Sequence, residues 1–354
     1  NCKKCGCPTC LAFAMKLAQK QASLDQCPDV SAESKSALEG SAAPPIRLVT
    51  IGSGAGKVEI GNETVMFRHD ESFYHSPGVA VLVSDRLSDA DLAQKVAAIE
   101  ALRFIRVGME LRVRLVAVRN DSGAADPFIK AAAAVQKLGL PMVLMSNEAA
   151  HIEKVLAQGQ VKQALIYAAT EEKWESFARV AKEKCCPLAV TAPDIDRVAA
   201  LAEKVKAAGV EDIVLDLTAG TAVDTLQALT AVRRMALKRR AKGIGYPAMV
   251  VSTVADPLAG VADCCAFVAK YAGLVVTTLD RPEQILPVLT VSQNLYTDPR
   301  KPIQVEAKLC EVGSVTPQSP LLITTNFSLT YYTVEGEVEA SRVPAYIGVI
   351  DTEG

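Results

Sequence analysis

The feature that most constrains the fold of this chain is a repeated unit that starts at residue 79. Each unit is a short Val-, Leu- and Ile-rich run followed by an amphipathic stretch rich in Ala, Lys and Glu, the pattern of a β-strand and its helix. The apolar runs of eight such units begin at Val79, Leu111, Pro141, Gln163, Pro187, Asp212, Tyr246 and Gly273. Eight consecutive βα units predict an α/β fold, a closed (β/α)8 TIM barrel rather than an open sheet.

Composition sets the class of protein. The 354 residues are enough for two or three domains, and 50% of them are apolar, so a sizeable core is available. The net charge of -2 gives no electrostatic basis for binding nucleic acid. No apolar run approaches the ~18 residues of a membrane helix, and the N-terminus lacks the layout of a secretory signal. We therefore expect a cytoplasmic protein without a membrane or nucleic-acid partner.

Five of the ten cysteines lie within the first 27 residues. Cys2, Cys5, Cys10 and Cys27 give the spacing C-x2-C-x4-C-x16-C, and Pro28 follows the last thiol. Three closely spaced thiolates with one remote ligand, closed by a Cys-Pro step, are typical of an iron–sulfur cluster segment. These four cysteines are the candidate metal ligands.

The spacing leaves alternatives open. A structural zinc site uses the same thiolates, although its usual second C-x2-C knuckle is missing here. Reactive or redox thiols are a third interpretation. Cys7 is the spare thiol, which we interpret as a non-ligand that could compete with Cys10 for one iron.

Changes of pattern divide the chain into four regions. Residues 1–41 form the Cys-rich module, residues 42–78 a linker with two prolines followed by a β-hairpin, and residues 79–303 the barrel. From residue 304 to residue 354 the sequence reads as strand-like runs with turns that do not continue the barrel.

The ends of the barrel strands are where a TIM barrel places its active site. The polar residues there are Asp85, Asn120, Asp121, Ser146, Asn147, Thr170, Asp194, Asp216, Ser252, Asp256 and Asp280. None is a His, Lys or Cys, and His69, His75 and His151 lie elsewhere in the sequence. Helix capping explains these Asp and Asn residues at least as well as acid/base catalysis, so we interpret the barrel as a scaffold and docking surface.

The opening NCKKCGCPTCLAFAMKLA, the RHD-x2-F segment from Arg68 to Phe73, the later TTNFSLTYYTVEGE and the final VIDTEG carry a resemblance that spans nearly the whole chain. The sequence resembles the large (gamma) subunit of the corrinoid/iron–sulfur protein of the reductive acetyl-CoA (Wood–Ljungdahl) pathway. The resemblance implies three domains: a [4Fe–4S] domain held by Cys2, Cys5, Cys10 and Cys27, a barrel, and a corrinoid-binding α/β domain. In that family the last domain continues past the equivalent of Gly354, so we expect residues 304–354 to be its beginning.

The resemblance also implies a function in carbon dioxide fixation. Such a protein is a methyl carrier rather than a stand-alone enzyme: its Co(I) corrinoid accepts a methyl group from methyltetrahydrofolate on a methyltransferase and delivers it to acetyl-CoA synthase. The cluster returns Co(II) to Co(I) after accidental oxidation. The implied partners are a small barrel subunit in a heterodimer, the methyltransferase, CO dehydrogenase/acetyl-CoA synthase and a reductive activator.

Within residues 324–354 the candidate corrinoid contacts are Asn326, Thr330 and Tyr331. None of the three histidines stands in the Asp-x-His-x-x-Gly motif through which many corrinoid domains bind cobalt. If a corrinoid is bound, we therefore expect it base-off and without a protein imidazole on cobalt.

Two other functions stay open on the residues alone. One is a pterin-dependent methyltransferase barrel that carries its own cluster, supported by Asp85, Asn120 and Asp216 at strand ends. The other is an electron-transfer subunit, which needs only the Cys-rich module and leaves the barrel unexplained.

Overall fold

The computed structural model describes residues 4–18, 26–31, 44–68, 73–239, 241, 243–296 and 303–352. The chain divides into two compact units, Asn1–Pro44 and Pro45–Gly354, which are considered separately below. In chain order the described strands are β1 (Val49–Ile51), β2 (Val58–Ile60), β3 (Gly78–Ser84), β4 (Arg103–Arg106), β5 (Met109–Arg112), β6 (Leu115–Arg119), β7 (Met142–Met145), β8 (Leu165–Ala169), β9 (Leu188–Thr191), β10 (Ile213–Asp216), β11 (Ala248–Ser252), β12 (Ala272–Thr277), β13 (Leu309–Val312), β14 (Leu321–Thr325) and β15 (Ala345–Ile350).

The described α-helices alternate with the strands over most of the chain. They are α1 (Cys10–Ala18), α2 (Asp89–Glu100), α3 (Ala125–Gln136), α4 (Ala149–Ala157), α5 (Trp174–Glu183), α6 (Ile195–Ala207), α7 (Ala222–Arg234), α8 (Pro257–Ala269), α9 (Pro282–Tyr296) and α10 (Ser328–Ser341). A π-helical turn, Met235–Arg239, extends α7. None of the described helices combines the length and the apolar composition that a membrane-spanning segment needs.

The eight predicted βα strands form one closed parallel barrel. Around the barrel the strand order is β3, β6, β7, β8, β9, β10, β11 and β12, and β12 pairs again with β3. Each of the eight apolar runs of the sequence supplies one strand, so the prediction of a TIM barrel is confirmed. The barrel strands are buried on both faces because helices cover the outside and side chains fill the inside.

Alternate residues of each strand point into the barrel. On β3, Ala80 and Leu82 belong to the interior cluster, whereas Val79, Val81 and Val83 belong to the outer layer beneath the helices. This period of two continues around the barrel and leaves an interior that is apolar except at the carboxyl ends of the strands. The polar side chains inside the barrel are therefore found at the carboxyl ends of the strands.

The antiparallel pair β1–β2 closes the opposite, amino-terminal end of the barrel. Its four apolar side chains, Val49, Ile51, Val58 and Ile60, are at most 1% exposed and complete the interior cluster. At Gly61 the backbone has φ 92°, and a Cβ atom there would lie 2.0 Å from the carbonyl oxygen of Arg47. Only glycine satisfies both requirements at this turn.

Backbone hydrogen bonds tie the hairpin to the amino ends of barrel strands. The amide of Gly52 donates to the carbonyl of Gln163 at 2.8 Å, and the amide of Arg47 donates to the carbonyl of Gly245 at 2.9 Å. Gln163 and Gly245 lie just before β8 and β11, so the hairpin lies across the barrel floor.

A buried ion pair anchors the segment that leads from the hairpin to the barrel. Arg233 Nη2 lies 3.3 Å from Glu63 Oε2, with side-chain exposures of 6% and 8%. The guanidinium is also 5.5 Å from the ring centroid of Phe73 and 5.1 Å from that of Tyr271. Glu63 Oε1 accepts hydrogen bonds from the amides of Tyr74 and His75. Arg233 therefore neutralises the Glu63 carboxylate, which is almost fully removed from water.

The C-terminal region forms a small α/β module. Its sheet has the order β13-β15-β14, with β13 antiparallel and β14 parallel to β15. The prediction of strand-like runs throughout was wrong for residues 328–341, which form α10. Two adjacent parallel strands need a crossover connection, and here this requirement outweighs the β-propensity of a segment rich in Thr, Tyr and Val.

Candidate functional site

In the Cys-rich module an ion pair joins the segments on which two of the predicted ligands lie. Lys4, next to Cys5, forms a 3.2 Å ion pair with Asp29, which lies two residues after Cys27. Thr9 Oγ1 accepts the amide of Ala12 at 3.1 Å and thereby caps α1, whose first residue is Cys10. The described part of α1 ends at Ala18.

The thiols in this module differ in burial. Cys10 is exposed, Cys5 and Cys27 are partly exposed, and all three are free. Cys7 is 5% exposed and therefore occupies an interior position of the module. Cys2 lies outside the described residues, as do His69 and Asp70. Within the described ranges no three His, Cys, Asp or Glu side chains converge as a metal site.

The barrel mouth, at the carboxyl ends of the strands, contains a buried tyrosine–aspartate pair. The Tyr167 hydroxyl donates to Asp216 Oδ2 at 2.7 Å, and the Thr218 hydroxyl and amide donate to Asp216 Oδ1 at 2.5 and 3.0 Å. Burial raises the pKa of Asp216, against the opposing effect of these donors, and it also raises the pKa of Tyr167. The Asp216 residue is 3% exposed, so its carboxyl group is almost fully removed from water.

A second network at the mouth includes a histidine that the sequence did not place there. Asp85 accepts the amide and hydroxyl of Ser122 at 2.8 and 2.6 Å. Asn120 Nδ2 donates to Ser146 Oγ at 3.1 Å and lies 2.8 Å from His151 Nδ1. The expectation that all three histidines lie away from the strand ends was therefore wrong for His151, which reaches a strand end from the first turn of α4.

A third network engages an arginine. Arg119 Nε donates to Asp121 Oδ1 at 2.7 Å, and Ser84 Oγ donates to Asp121 Oδ2 at 2.5 Å. The other acidic strand-end residues have structural contacts: Asp194 and Asp256 cap α6 and α8, and Asp280 pairs with Lys95. The capping interpretation is confirmed for Asp194 and Asp256.

In the C-terminal module the three candidate corrinoid contacts have different surroundings. Asn326 is 4% exposed; its Nδ2 donates to Asp351 at 2.8 Å and its Oδ1 accepts from Thr352. The Tyr331 hydroxyl donates to Glu335 at 2.8 Å, and burial raises its pKa. Thr330 is exposed. Of the three side chains, Thr330 alone is both exposed and free of a hydrogen bond within the described ranges.

Two hydroxyls that the sequence did not single out stand beside Asn326. Thr325 Oγ1 and Ser328 Oγ are buried without a hydrogen-bond partner in the part of the chain that the structure describes. They lie where β14 ends and α10 begins, next to the carboxyl end of β15. Ligands of parallel α/β sheets bind outside the carboxyl ends of the strands. An unsatisfied pair of hydroxyls at that place marks it as a candidate ligand site.

Comparison with known proteins gives matches over the whole chain. The family model of the CO dehydrogenase/acetyl-CoA synthase delta subunit matches residues 48–354, and an Fe-S cluster family model matches residues 1–28. The corrinoid/iron-sulfur protein large subunit of Moorella thermoacetica is 45% identical over 355 residues, which cover 100% of this chain and 80% of that protein.

A second relative and one solved structure are also similar to this chain. Subunit gamma of the acetyl-CoA decarbonylase/synthase complex of Methanothermobacter thermautotrophicus is 35% identical over 367 residues, with coverage of 100% and 80%. Among solved structures, dihydropteroate synthase from Thermus thermophilus aligns with a TM-score of 0.48 and 17% identity, covering 71% of this chain and 100% of that chain.

Proposed function

Because the chain belongs to the CO dehydrogenase/acetyl-CoA synthase delta subunit family, we propose that it is the large subunit of a corrinoid-dependent methyl carrier. It accepts a methyl group from methyltetrahydrofolate through a methyltransferase and delivers it to acetyl-CoA synthase. The observation that carries this proposal is the 45% identity to the Moorella corrinoid/iron-sulfur protein large subunit over the whole chain.

The Cys-rich module fits an iron–sulfur cluster by the chemistry of its donors. Cys5, Cys10 and Cys27 offer free thiols at or near the surface, and the exposed Lys4–Asp29 pair joins the loop of Cys5 to the turn that follows Cys27. With Cys2 they would hold a [4Fe–4S] cluster, which supplies one electron when Co(II) must return to Co(I). Cys7 is buried, and we assign it to packing within the module and not to the ligand set.

The C-terminal module fits one edge of a corrinoid. Thr325 and Ser328 present buried hydroxyls whose hydrogen-bonding capacity is unused, and an amide side chain of a corrin ring would satisfy both donors and acceptors there. Asn326 joins the ends of β14 and β15 and so acts as a positioning residue, whereas the exposed Thr330 is free to contact the ligand. Tyr331 is buried in the apolar cluster of this module. No described histidine lies in this module, in accord with a base-off cobalt.

The proposed partners are the small subunit in a heterodimer, the methyltetrahydrofolate methyltransferase, CO dehydrogenase/acetyl-CoA synthase and a reductive activator. The cytoplasmic location expected from the sequence stays a prediction.

The test is anaerobic purification of the chain with and without its small subunit, followed by iron, sulfide, zinc and cobalt analysis and visible spectra. About four irons per chain, with corrinoid bands that appear only when the small subunit is present, are expected. Zinc without iron or cobalt would contradict the redox role.

The same preparation tests the alternative of a pterin-dependent methyltransferase. The contact between Asn120 and His151 is the observation in its favour, because an imidazole and a carboxamide at a barrel mouth are groups that can act on a bound substrate. Demethylation of methyltetrahydrofolate by this chain alone, with free cobalamin as the acceptor and no methyltransferase, would favour the alternative over the carrier.

A further inference from the structure

A groove at the barrel mouth has features of a ligand site that neither the cluster nor the corrinoid explains. It has a volume of about 600 Å³ and runs from the carboxyl ends of β3, β6 and β12 along α2. Ligand sites of proteins measure about 300–1,000 Å³, and in TIM barrels they lie at this end. The apolar part of its wall is formed by Leu82, Leu87, Ala98 and Ala101.

Among the described residues, the carboxylates of the groove have hydrogen-bond or ion-pair partners, whereas its guanidinium groups keep donors that are not used. Its two carboxylates already have partners, since Asp280 pairs with Lys95 at 2.5 Å and Asp91 accepts the Ser88 hydroxyl at 2.7 Å. Among the described residues, Arg119 forms one side-chain hydrogen bond, from its Nε to Asp121, and Arg281 forms no ion pair. The groove therefore presents unused guanidinium donors beside an apolar wall.

Guanidinium groups bind carboxylates and phosphates through two parallel hydrogen bonds, and they do so best where the surroundings are partly apolar. The Arg119 side chain is 38% exposed and Asp121 25%, so this pair is partly removed from water. Asp121 is in turn fixed by Ser84, which holds Arg119 in place before a ligand arrives. Such preorganisation lowers the entropic cost of binding.

We propose that this groove binds a small molecule with a carboxylate or phosphate group on an apolar body, the anion on Arg119 and Arg281 and the body against Leu82 and Leu87. The proposal is independent of the methyl-carrier function, because the groove lies in the barrel and uses no residue assigned to cluster or corrinoid.

Calorimetric titration of the anaerobically purified protein with three probes tests the proposal: phenyl phosphate, inorganic phosphate and phenol. Phenyl phosphate is expected to bind more tightly than either of the others, because it alone engages both the cations and the apolar wall. Arg119→Gln and Arg281→Gln are each expected to weaken its binding at least tenfold. Arg234→Gln removes another exposed arginine, on α7 and outside the groove, and is expected to leave the affinity unchanged.

Arg281 has no ion pair to lose among the described residues, so its variant should fold as the parent does, and an unchanged unfolding midpoint checks this. Inorganic phosphate that binds as tightly as phenyl phosphate would overturn the assignment of the apolar wall. No binding of any probe, as expected if these arginines instead meet an acidic side chain of a partner protein, would overturn the small-molecule site. Binding that survives both groove variants would show adventitious anion binding and overturn it as well.

Discussion

The hydroxyl of Tyr167 and the carboxyl group of Asp216 form a 2.7 Å hydrogen bond inside the mouth of the barrel, where burial raises the pKa of Asp216. The folded-state pKa of Asp216 lies above its unfolded value of about 4, so protonation favours the folded state. The stabilisation is complete below the unfolded pKa and is lost as pH rises through the folded pKa.

Replacement of Asp216 should therefore change the pH dependence of stability. Across this window the parent is expected to lose up to about 1.4 kcal/mol per pH unit relative to Asp216→Asn, which cannot ionise. Denaturant unfolding of both proteins from pH 4 upward measures the difference. A difference that is constant with pH, or that grows in favour of the parent, would contradict the raised pKa.

The Glu63–Arg233 pair should be costly to break from one side. Arg233→Met leaves the Glu63 carboxylate buried without its cation, and a loss of about 3–5 kcal/mol in the free energy of unfolding is expected. Arg234→Met changes the exposed neighbour and is expected to cost less than about 0.5 kcal/mol. Equal effects of the two substitutions, measured by guanidinium unfolding, would show that the pair is not a buried one.

Substitution of two glycines with positive φ can separate the cost of backbone strain from the cost of a steric clash in the hairpin. A Cβ at Gly61 meets the Arg47 carbonyl at 2.0 Å, whereas a Cβ at Gly54 meets nothing within 4 Å. Gly54→Ala is expected to cost about 1–2 kcal/mol, from strain alone. Gly61→Ala must also displace the backbone of Arg47 and should be clearly more destabilising. Thermal unfolding of the two variants side by side measures the extra cost.

The proposed cluster ligands can be distinguished from Cys7 by substitution. Serine at Cys2, Cys5, Cys10 or Cys27 should each reduce the iron content of the anaerobically purified protein well below four per chain. Cys7→Ser should keep the iron and lower the stability of the module, because Cys7 is buried. Loss of iron from the Cys7 variant, with iron retained in the Cys10 variant, would show that Cys7 is the ligand and Cys10 is not.

Ser328→Ala should raise the stability of the corrinoid-free protein and weaken corrinoid binding. Removing a buried hydroxyl without a partner relieves an uncompensated desolvation cost, so the corrinoid-free protein should gain about 1–2 kcal/mol. The corrinoid retained in the complex with the small subunit should fall. Thr333→Ala on the same helix, where the hydroxyl donates to the Leu329 carbonyl, is the control and should change the corrinoid content little.

The strands of the barrel were predictable because each must be apolar on both faces, so its signal is continuous and repeated. Prediction from the residue pattern failed for α10. Its β-branched and aromatic residues favour a strand, but they form the helix that connects two parallel strands. Local propensity carries no information about such a crossover.

The candidate site residues divide in the same way. The spacing from Cys5 to Cys27 is a pattern of the sequence itself, so it could be interpreted without the structure. The approach of His151 to Asn120 and the unsatisfied hydroxyls of Thr325 and Ser328 depend on elements that meet only after folding, and no sequence pattern marks them. Burial without a partner is visible only in three dimensions.

The hairpin across the barrel floor sets an order of events during synthesis. β1 and β2 leave the ribosome before any barrel strand, yet their side chains are buried by residues as distant as Gly273, at the start of the eighth strand. The hairpin must wait, with four apolar side chains uncovered, until more than two hundred further residues have been made. Contacts so remote in sequence are reached slowly, and nascent chains of this kind depend on protection from association in the meantime.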